Sequence, residues 1–255
     1  MIAECLLIKN ENRYLLEHLT YNAAAGIYHF FIFDNLSDTP VADFLRENAR
    51  QFLNICTVAR YHSNRNLQLD CYADYLKEHR HVDWTVFCDT DECFTGNIRD
   101  AVAEFGGDYN YLSFAPILHG CNGKIFDDGG GMFDRFASDI VDPAHSWYKC
   151  LARTSDVALI KSPHKFRMIG TRLIYLSQKK YSQCVLHHFR FRSFEEWVSK
   201  IKRGTCLSTA PNDSHAIKEF FNANKSISQD NPDIISLMKW QEVTMQTKQS
   251  TPPIL

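Results

Sequence analysis

No stretch of these 255 residues approaches the roughly 18 consecutive apolar residues that a membrane-spanning helix needs. Neither sign of charge is in excess: 28 Lys and Arg stand against 30 Asp and Glu, a net charge of −2. That balance gives no electrostatic reason to expect nucleic acid or an anionic membrane as a general partner, although peripheral association with a membrane stays open. The nine cysteines include no C-x-x-C pair and are odd in number. They lie scattered through apolar runs, where a thiol packs as a small hydrophobe. A disulfide framework and a cysteine zinc site are thereby disfavoured, and a reducing, cytoplasmic setting is expected. There is no repeat and no low-complexity tract. The first residues enter the apolar run Ile2 to Ile8, with no basic segment and signal-type core before it. What is left is the composition of an ordinary globular protein, 45% hydrophobic and 23% charged, long enough for a sizeable core.

Against this background the run Trp84-Thr85-Val86-Phe87-Cys88-Asp89-Thr90-Asp91-Glu92 stands out. An apolar, β-prone stretch ends in two aspartates one residue apart. Side chains at i and i+2 of an extended segment point the same way, so Asp89 and Asp91 can face one ion. The carboxyl ends of strands in open α/β sheets are where ligands bind. Hard carboxylate ligands suit Mg²⁺ or Mn²⁺, which keep positions open for a substrate's phosphates. A capped strand end with two solvated acids would read the same locally, so the rest of the chain has to decide.

The first half alternates strand and helix signals. Strands are expected over 2–8, 28–33, 55–61 and from Trp84, and helices over 11–25, 40–48 and 67–79, with Gly26 as a helix stop. This order predicts an α/β fold with a mostly parallel, doubly wound sheet flanked by helices. Three strand ends, at Lys9-Asn10-Glu11, Asp34-Asn35 and Asp89-Thr90-Asp91, then share one edge. The second half is irregular. Strands are expected over 109–116, 157–160 and 173–176, with a glycine- and aspartate-rich functional loop or lid over 120–132 between the first two. Ser193 reads as an N-cap followed by Glu195 and Glu196 in the first turn, with Gly204 as the stop. One domain is expected over 1–221, a donor half to about residue 95 and an acceptor half after it. A peripheral helix and loose tail over 222–255, ending near Pro252-Pro253, complete the chain.

Four segments together resemble the GT-A glycosyltransferases, specifically the family 92 type and its family 2 neighbours. They are Lys9-Asn10-Glu11 with Tyr14-Leu15-Leu16-Glu17-His18; Gly26 through Asp38; Gln68 followed by Trp84 through Phe94; and His187-His188-Phe189-Arg190-Phe191-Arg192-Ser193-Phe194-Glu195-Glu196-Trp197 with Lys200 and Arg203-Gly204. Their order and spacing, from about residue 3 to 204, are far more specific than any one motif. The chain departs from the pattern at Cys93, where Phe is common, and at Arg192, where Lys is commoner.

The resemblance implies a GT-A (Rossmann-like) fold and a nucleotide-sugar donor, UDP-linked in most such enzymes, with Mn²⁺ or Mg²⁺. It implies a glycan or glycolipid-type acceptor hydroxyl and transfer with inversion. Asp34 and Asn35 at the second strand end, with Asn10 and Glu11 at the first, would hold base or ribose, and Gln68 belongs to the same donor-binding set. Asp91 would be the direct metal ligand, and Asp89 would touch ribose, metal or a metal-bound water. His187 or His188 would add a third contact; neighbouring strand residues face opposite ways, so one of the two points inward, and His188 is preferred. Arg190 and Arg192, two residues apart, could clamp a phosphate. Inversion also needs a general base. Asp127, Asp128, Glu195 and Glu196 are the candidates, and none is singled out. Phe126, Phe133 and Trp147 could line the acceptor side. Two alternatives remain at this stage: a catalytically silent scaffold or sugar-binding subunit on the same fold, and a nucleotidyltransferase. The second expects a glycine-rich loop after the first strand, and Lys9-Asn10-Glu11-Asn12-Arg13 has no glycine.

Overall fold

A computed structural model describes residues 1–63, 67–143, 145–203 and 213–238. In chain order the elements are β1 (Ile2–Ile8), α1 (Asn12–Ala24), β2 (His29–Asp34), α2 (Val41–Asn48), β3 (Cys56–Arg60), α3 (Leu67–Glu78), β4 (Trp84–Cys88), β5 (Glu92–Gly96), α4 (Ile98–Phe105), β6 (Tyr111–Phe114), β7 (Ile117–His119), α5 (Met132–Phe136), β8 (Ile140–Asp142), β9 (Lys149–Arg153), β10 (Val157–Ser162), β11 (Lys165–Met168), β12 (Leu173–Leu176), β13 (Cys184–His188), α6 (Phe194–Arg203) and α7 (Asp213–Ala223). They fall into two compact units, 1–119 with 142–190, and 120–141 with 191–255.

The first unit is built on a seven-stranded sheet in the order β12-β6-β9-β4-β1-β2-β3. β1 pairs in parallel with both β2 and β4, and β2 with β3. β9 alone runs against its neighbours β4 and β6, so the mostly parallel α/β sheet expected from the sequence is present. The period-two pattern of β1 explains the layering. Ile2, Leu6 and Ile8 join a core with Leu15, Leu19, Val41, Leu45 and Ile98. Ala3 and Cys5 join a second core with Cys71, Tyr72, Tyr75, Phe87 and Phe166. Each fully buried leucine or phenylalanine contributes about 1.5–3 kcal/mol to holding a helix on the sheet. Helix α1 stops where expected: Gly26 takes φ +101°, and a Cβ there would meet the Arg99 side chain at 2.8 Å.

The second half differs from the sequence expectation in definite places. The stretch expected as one strand over 109–116 breaks into β6 and β7 at Ala115-Pro116, since proline has no amide hydrogen for a ladder. β13 pairs antiparallel with β5 and parallel with β7, forming a second small sheet. In the second unit α6 starts at Phe194, with Ser193 before it as expected, and aromatic side chains of Phe191, Phe194, Trp197, Phe220 and Phe221 pack together. Asn224 is buried and its Oδ1 accepts the Cys121 amide at 2.6 Å, so the chain just past residue 222 is tied to the 120–141 segment. The stop expected at Gly204 and the tail through Pro252-Pro253 lie outside the described residues. No helix among the described residues is long and apolar enough to cross a membrane.

Candidate functional site

Strand β4 is buried throughout and ends in the turn Asp89 to Glu92, whose closing bond runs from the Glu92 amide to the Asp89 carbonyl at 3.0 Å. The Glu92 carboxylate folds back, and its Oε2 accepts the Asp89 amide at 2.9 Å. Thr85 and Phe87 face α3, and alternation carries Asp89 to the same side, where Gln68 of α3 donates to its Oδ1 at 2.9 Å. Gln68 in turn donates to the Tyr72 hydroxyl at 2.9 Å. The other Asp89 oxygen belongs to Lys149. That ammonium is fully buried at the head of β9 and lies 2.6 Å from Asp89 Oδ2 and 2.9 Å from Glu92 Oε2.

Two carboxylates on one ammonium are pushed apart in acidity. Burial works to raise the Asp89 carboxyl, but Lys149 outweighs it and holds Asp89 below its ordinary value. Glu92 has no solvent at all, and burial pushes it up to about 8 despite Lys149. Lys149 stays protonated: burial opposes its charge, and Asp89 and Glu92 raise it well above the usual lysine value.

Asp91 and His188 face one another across the turn. The register of β13 on β5 sets His188 opposite Glu92, and the Phe189 amide donates to the Asp91 carbonyl at 2.8 Å. His188 Nε2 lies 3.6 Å from Asp91 Oδ1, and its Nδ1 lies 3.7 Å from Glu92 Oε1. Both side chains are 7% exposed. The pair is too far apart for a hydrogen bond, and two ligand atoms each about 2.1 Å from one cation can stand at this separation. The carboxylate suits Mg²⁺ or Mn²⁺, and the imidazole favours Mn²⁺, the softer of the two. No three His, Cys, Asp or Glu side chains among the described residues form a metal cage on their own. Such ions are commonly held by one or two protein ligands with substrate phosphates and water supplying the rest, and the Asp91–His188 pair fits that pattern. His187 faces the other way, as strand alternation requires. Its Nδ1 lies 2.9 Å from His119 Nε2, its Nε2 lies 2.9 Å from Thr95 Oγ1, and burial and His119 push it down to about 4.

The strand ends at β1 and β2 meet as expected, with Ile8 opposite Asp34 in parallel register. Their polar side chains largely knit the loops to one another. The Asn10 amide donates to Ser37 Oγ at 2.9 Å, and its side chain both donates to Asp38 and accepts the Asp38 amide. Asp34 is buried and accepts the Ser37 amide at 2.8 Å, the Val41 amide at 3.2 Å and Arg60 Nη1 at 2.9 Å. Burial would raise its carboxyl, but these donors hold it low. Glu11 occupies the N-cap position of α1 without a side-chain capping bond, and the Asn35 amide donates to the Ile8 carbonyl. Arg190 sits over the Trp147 ring at 4.4 Å. Trp147 is 40% exposed.

In the second unit, the expected base candidates gather round Arg135, which is 5% exposed. Its guanidinium reaches Asp128 at 2.8 Å, Glu196 at 3.1 Å and Asp127 at 3.3 Å. Glu195 Oε2 accepts the Asp127 amide at 2.8 Å. Lys124 holds Asp128 at 2.5 Å and, ahead of a small opposing effect of burial and with Arg135, keeps that carboxyl low. The Gly120 amide donates to the Asp139 carbonyl and the Asn122 amide to Asp139 Oδ2, so the glycine-rich segment is stapled at its start. Arg192 is buried with φ +57°. Lys149 and Arg135, which these acids surround, are absent from the sequence reading. Lys149 heads the apolar run Cys150-Leu151-Ala152, and a charged residue opening a buried strand was the available signal.

Comparison with known proteins follows the same direction. No known family model matches the chain. Over 219 residues it is 22% identical to a glycosyltransferase family 92 protein of Ricinus communis, covering 79% of this chain and 37% of that protein. The chain therefore spans little more than a third of the length of the curated relative it matches. Its fold superposes on GalNAc-T7, a structure with UDP, GalNAc and Mn²⁺, with a TM-score of 0.50 at 11% identity, over 99% of this chain and 58% of that one. Residues 1–349 of TarS from S. aureus align with a TM-score of 0.48 at 16% identity, over 90% of this chain and 73% of that one. The fold is that of the GT-A glycosyltransferases. Within that class, the chain is similar in sequence to family 92.

Proposed function

We propose that this chain is the catalytic domain of a metal-dependent glycosyltransferase. It takes a sugar from a UDP-linked donor and passes it to a hydroxyl of a glycan or glycolipid, with inversion. The observation that carries the reading is the Asp91–His188 pair, 3.6 Å apart beside an Asp89 fixed from two sides at the carboxyl end of a parallel sheet. A bound Mn²⁺ or Mg²⁺ supplies charge neutralisation for the leaving nucleoside diphosphate. Asp91 and His188 would hold that ion. Gln68 and Lys149 orient Asp89, an ionised acceptor suited to a ribose hydroxyl. The knitted loops at Asn10, Glu11, Asp34 and Asn35 form a rigid floor for the nucleoside, with Asp34 acting through the loop it braces. Arg190 and Arg192 remain candidates for the diphosphate. Asp127, Asp128, Glu195 and Glu196 remain the base candidates, and none is singled out. A cytoplasmic site of action remains the reading drawn from the scattered cysteines.

The test is a melting-temperature panel of UDP, GDP, CDP and ADP with and without Mn²⁺, on the parent chain and Asp91→Asn, followed by release of nucleoside diphosphate from the matching nucleotide-sugar. A nucleotide at 100 times its Kd adds about 2.7 kcal/mol to the folded state. For a chain of this size that raises Tm by about 5 °C or more. The expected result is a shift with UDP that needs both Mn²⁺ and Asp91, and turnover reduced on the order of 100-fold or more in Asp91→Asn. Binding without turnover for every UDP-sugar would instead favour the sugar-binding subunit. No shift with any nucleotide would remove the donor-site reading.

A further inference from the structure

A lysine with no solvent contact is costly unless its charge is matched, and Lys149 is set between two carboxyl groups of the acidic turn. It reaches Asp89 Oδ2 at 2.6 Å and Glu92 Oε2 at 2.9 Å, the two ends of the turn that carries Asp91. Its own strand is clamped on both sides, with Lys149 opposite Phe114 of β6 and Cys150 opposite Phe87 of β4. The ammonium is thus a rigid part of the sheet, and a second cation approaching the same Asp89 oxygen meets it at close quarters. The acidic turn comes with a cation already installed.

We propose that Lys149 is a positioning residue that acts as a resident counter-cation, denying Asp89 to a divalent ion until a nucleoside diphosphate brings oxygen ligands of its own. The inference rests on the donor-site reading above. Asp91 and His188 offer two ligands, and a hard cation that seeks six gains the remainder from phosphate oxygens and water. Cation and donor then load together, and the donor-free site takes up divalent metal weakly.

The experiment is a titration with Mn²⁺, following the free ion by electron paramagnetic resonance, with and without UDP. It compares the parent chain with Lys149→Gln, Lys149→Arg and the double variant Lys149→Met/Glu92→Gln, each checked for folding by circular dichroism. The double variant leaves no titratable glutamate behind, and the glutamine keeps an acceptor for the Asp89 amide. Without nucleotide, the two neutral replacements are expected to bind Mn²⁺ tenfold or more tightly than the parent, and Lys149→Arg as weakly as the parent. UDP should tighten Mn²⁺ binding tenfold or more in the parent and much less in the neutral variants. Adding Asp91→Asn should abolish the gain. Unchanged or weaker Mn²⁺ binding in folded neutral variants overturns the proposal, because a lysine that merely stabilises the turn would produce that result. A parent chain that fails to bind Mn²⁺ even with UDP counts against the donor-site reading; the role of Lys149 is still decided by the metal-only arm.

Discussion

Each of the two units gathers acids around one enclosed cation, and they do so by different means. In the first, Lys149 meets Asp89 and Glu92 through strand pairing between residues 60 and 57 positions apart in sequence. In the second, Arg135 meets Asp127 and Asp128 a few residues before it, and Glu196 at a helix start. The Lys149 cluster joins a glutamate with no exposure at all to an aspartate 40% exposed, whereas the Arg135 partners are 25%, 51% and 11% exposed. A fixed sheet register builds a cluster whose Lys149–Glu92 side is dry and cannot be re-solvated. A loop and a helix cap build a wetter one that water can repair.

Removing each cation gives the largest test of that difference. Lys149→Met takes the ammonium from the ionised Asp89 and leaves Glu92 enclosed without a cation; it should lower unfolding stability by about 3 kcal/mol, the low end for a buried pair because Asp89 is 40% exposed. Arg135→Met should cost less, about 2 kcal/mol, because solvent screens most of what it leaves behind. Urea unfolding of both variants at one pH measures the pair. Equal losses would mean that the loop cluster is as dry as the sheet cluster and would remove the distinction.

The same contrast explains what the sequence could reveal. β1, α1, β2, α2 and β3 lie within a few residues of their expected bounds, because apolar runs and 3.6-period stripes are local in sequence. Ser193 and Glu196 were readable as a helix start for the same reason. Asp89 and Asp91 were readable because β4 ends at them. Lys149 was not: a charge opening an apolar run is a local signal, but its partners follow only from antiparallel β9 slotting between β4 and β6. The choice between His187 and His188 had only alternation to guide it, and the pairing of β13 with β5 and β7 turns His187 to His119. Asp34 could be placed at its strand end, but not the three donors that hold its carboxylate.

A pH profile probes the dry cluster more gently. Glu92 holds its proton up to about 8 in the folded chain because burial disfavours the charge, while in the unfolded chain it ionises near 4.5. The folded state therefore binds more protons across this window. Its contribution to stability is complete below about pH 4.5 and is lost as pH rises through about 8. Glu92→Gln cannot titrate, so its unfolding stability should decline less than that of the parent between pH 5 and 8. Urea midpoints at four pH values across the window measure this. Parallel profiles would show that Glu92 is ionised throughout and that Lys149 overrides burial.

The smallest effect lies in the wetter cluster. Ser193 Oγ accepts the Glu196 amide at 3.3 Å and donates to Glu196 Oε2 at 2.7 Å, while the Ser193 amide donates to the same oxygen at 3.2 Å. This reciprocal cap satisfies two amide donors that the first turn of α6 would otherwise leave without helical partners. Ser193→Ala removes the hydroxyl and should cost about 1 kcal/mol in urea unfolding. Glu196 Oε2 also meets Arg135 at 3.1 Å, so the cap and the Arg135 cluster share one carboxylate. If water repairs this cluster as its exposure implies, Ser193→Ala and Arg135→Met should add to within about 0.5 kcal/mol in a double-mutant cycle. A coupling above about 1 kcal/mol would mean that the shared oxygen makes cap and cluster a single unit, closer in character to the Lys149 site than its solvent exposure suggests.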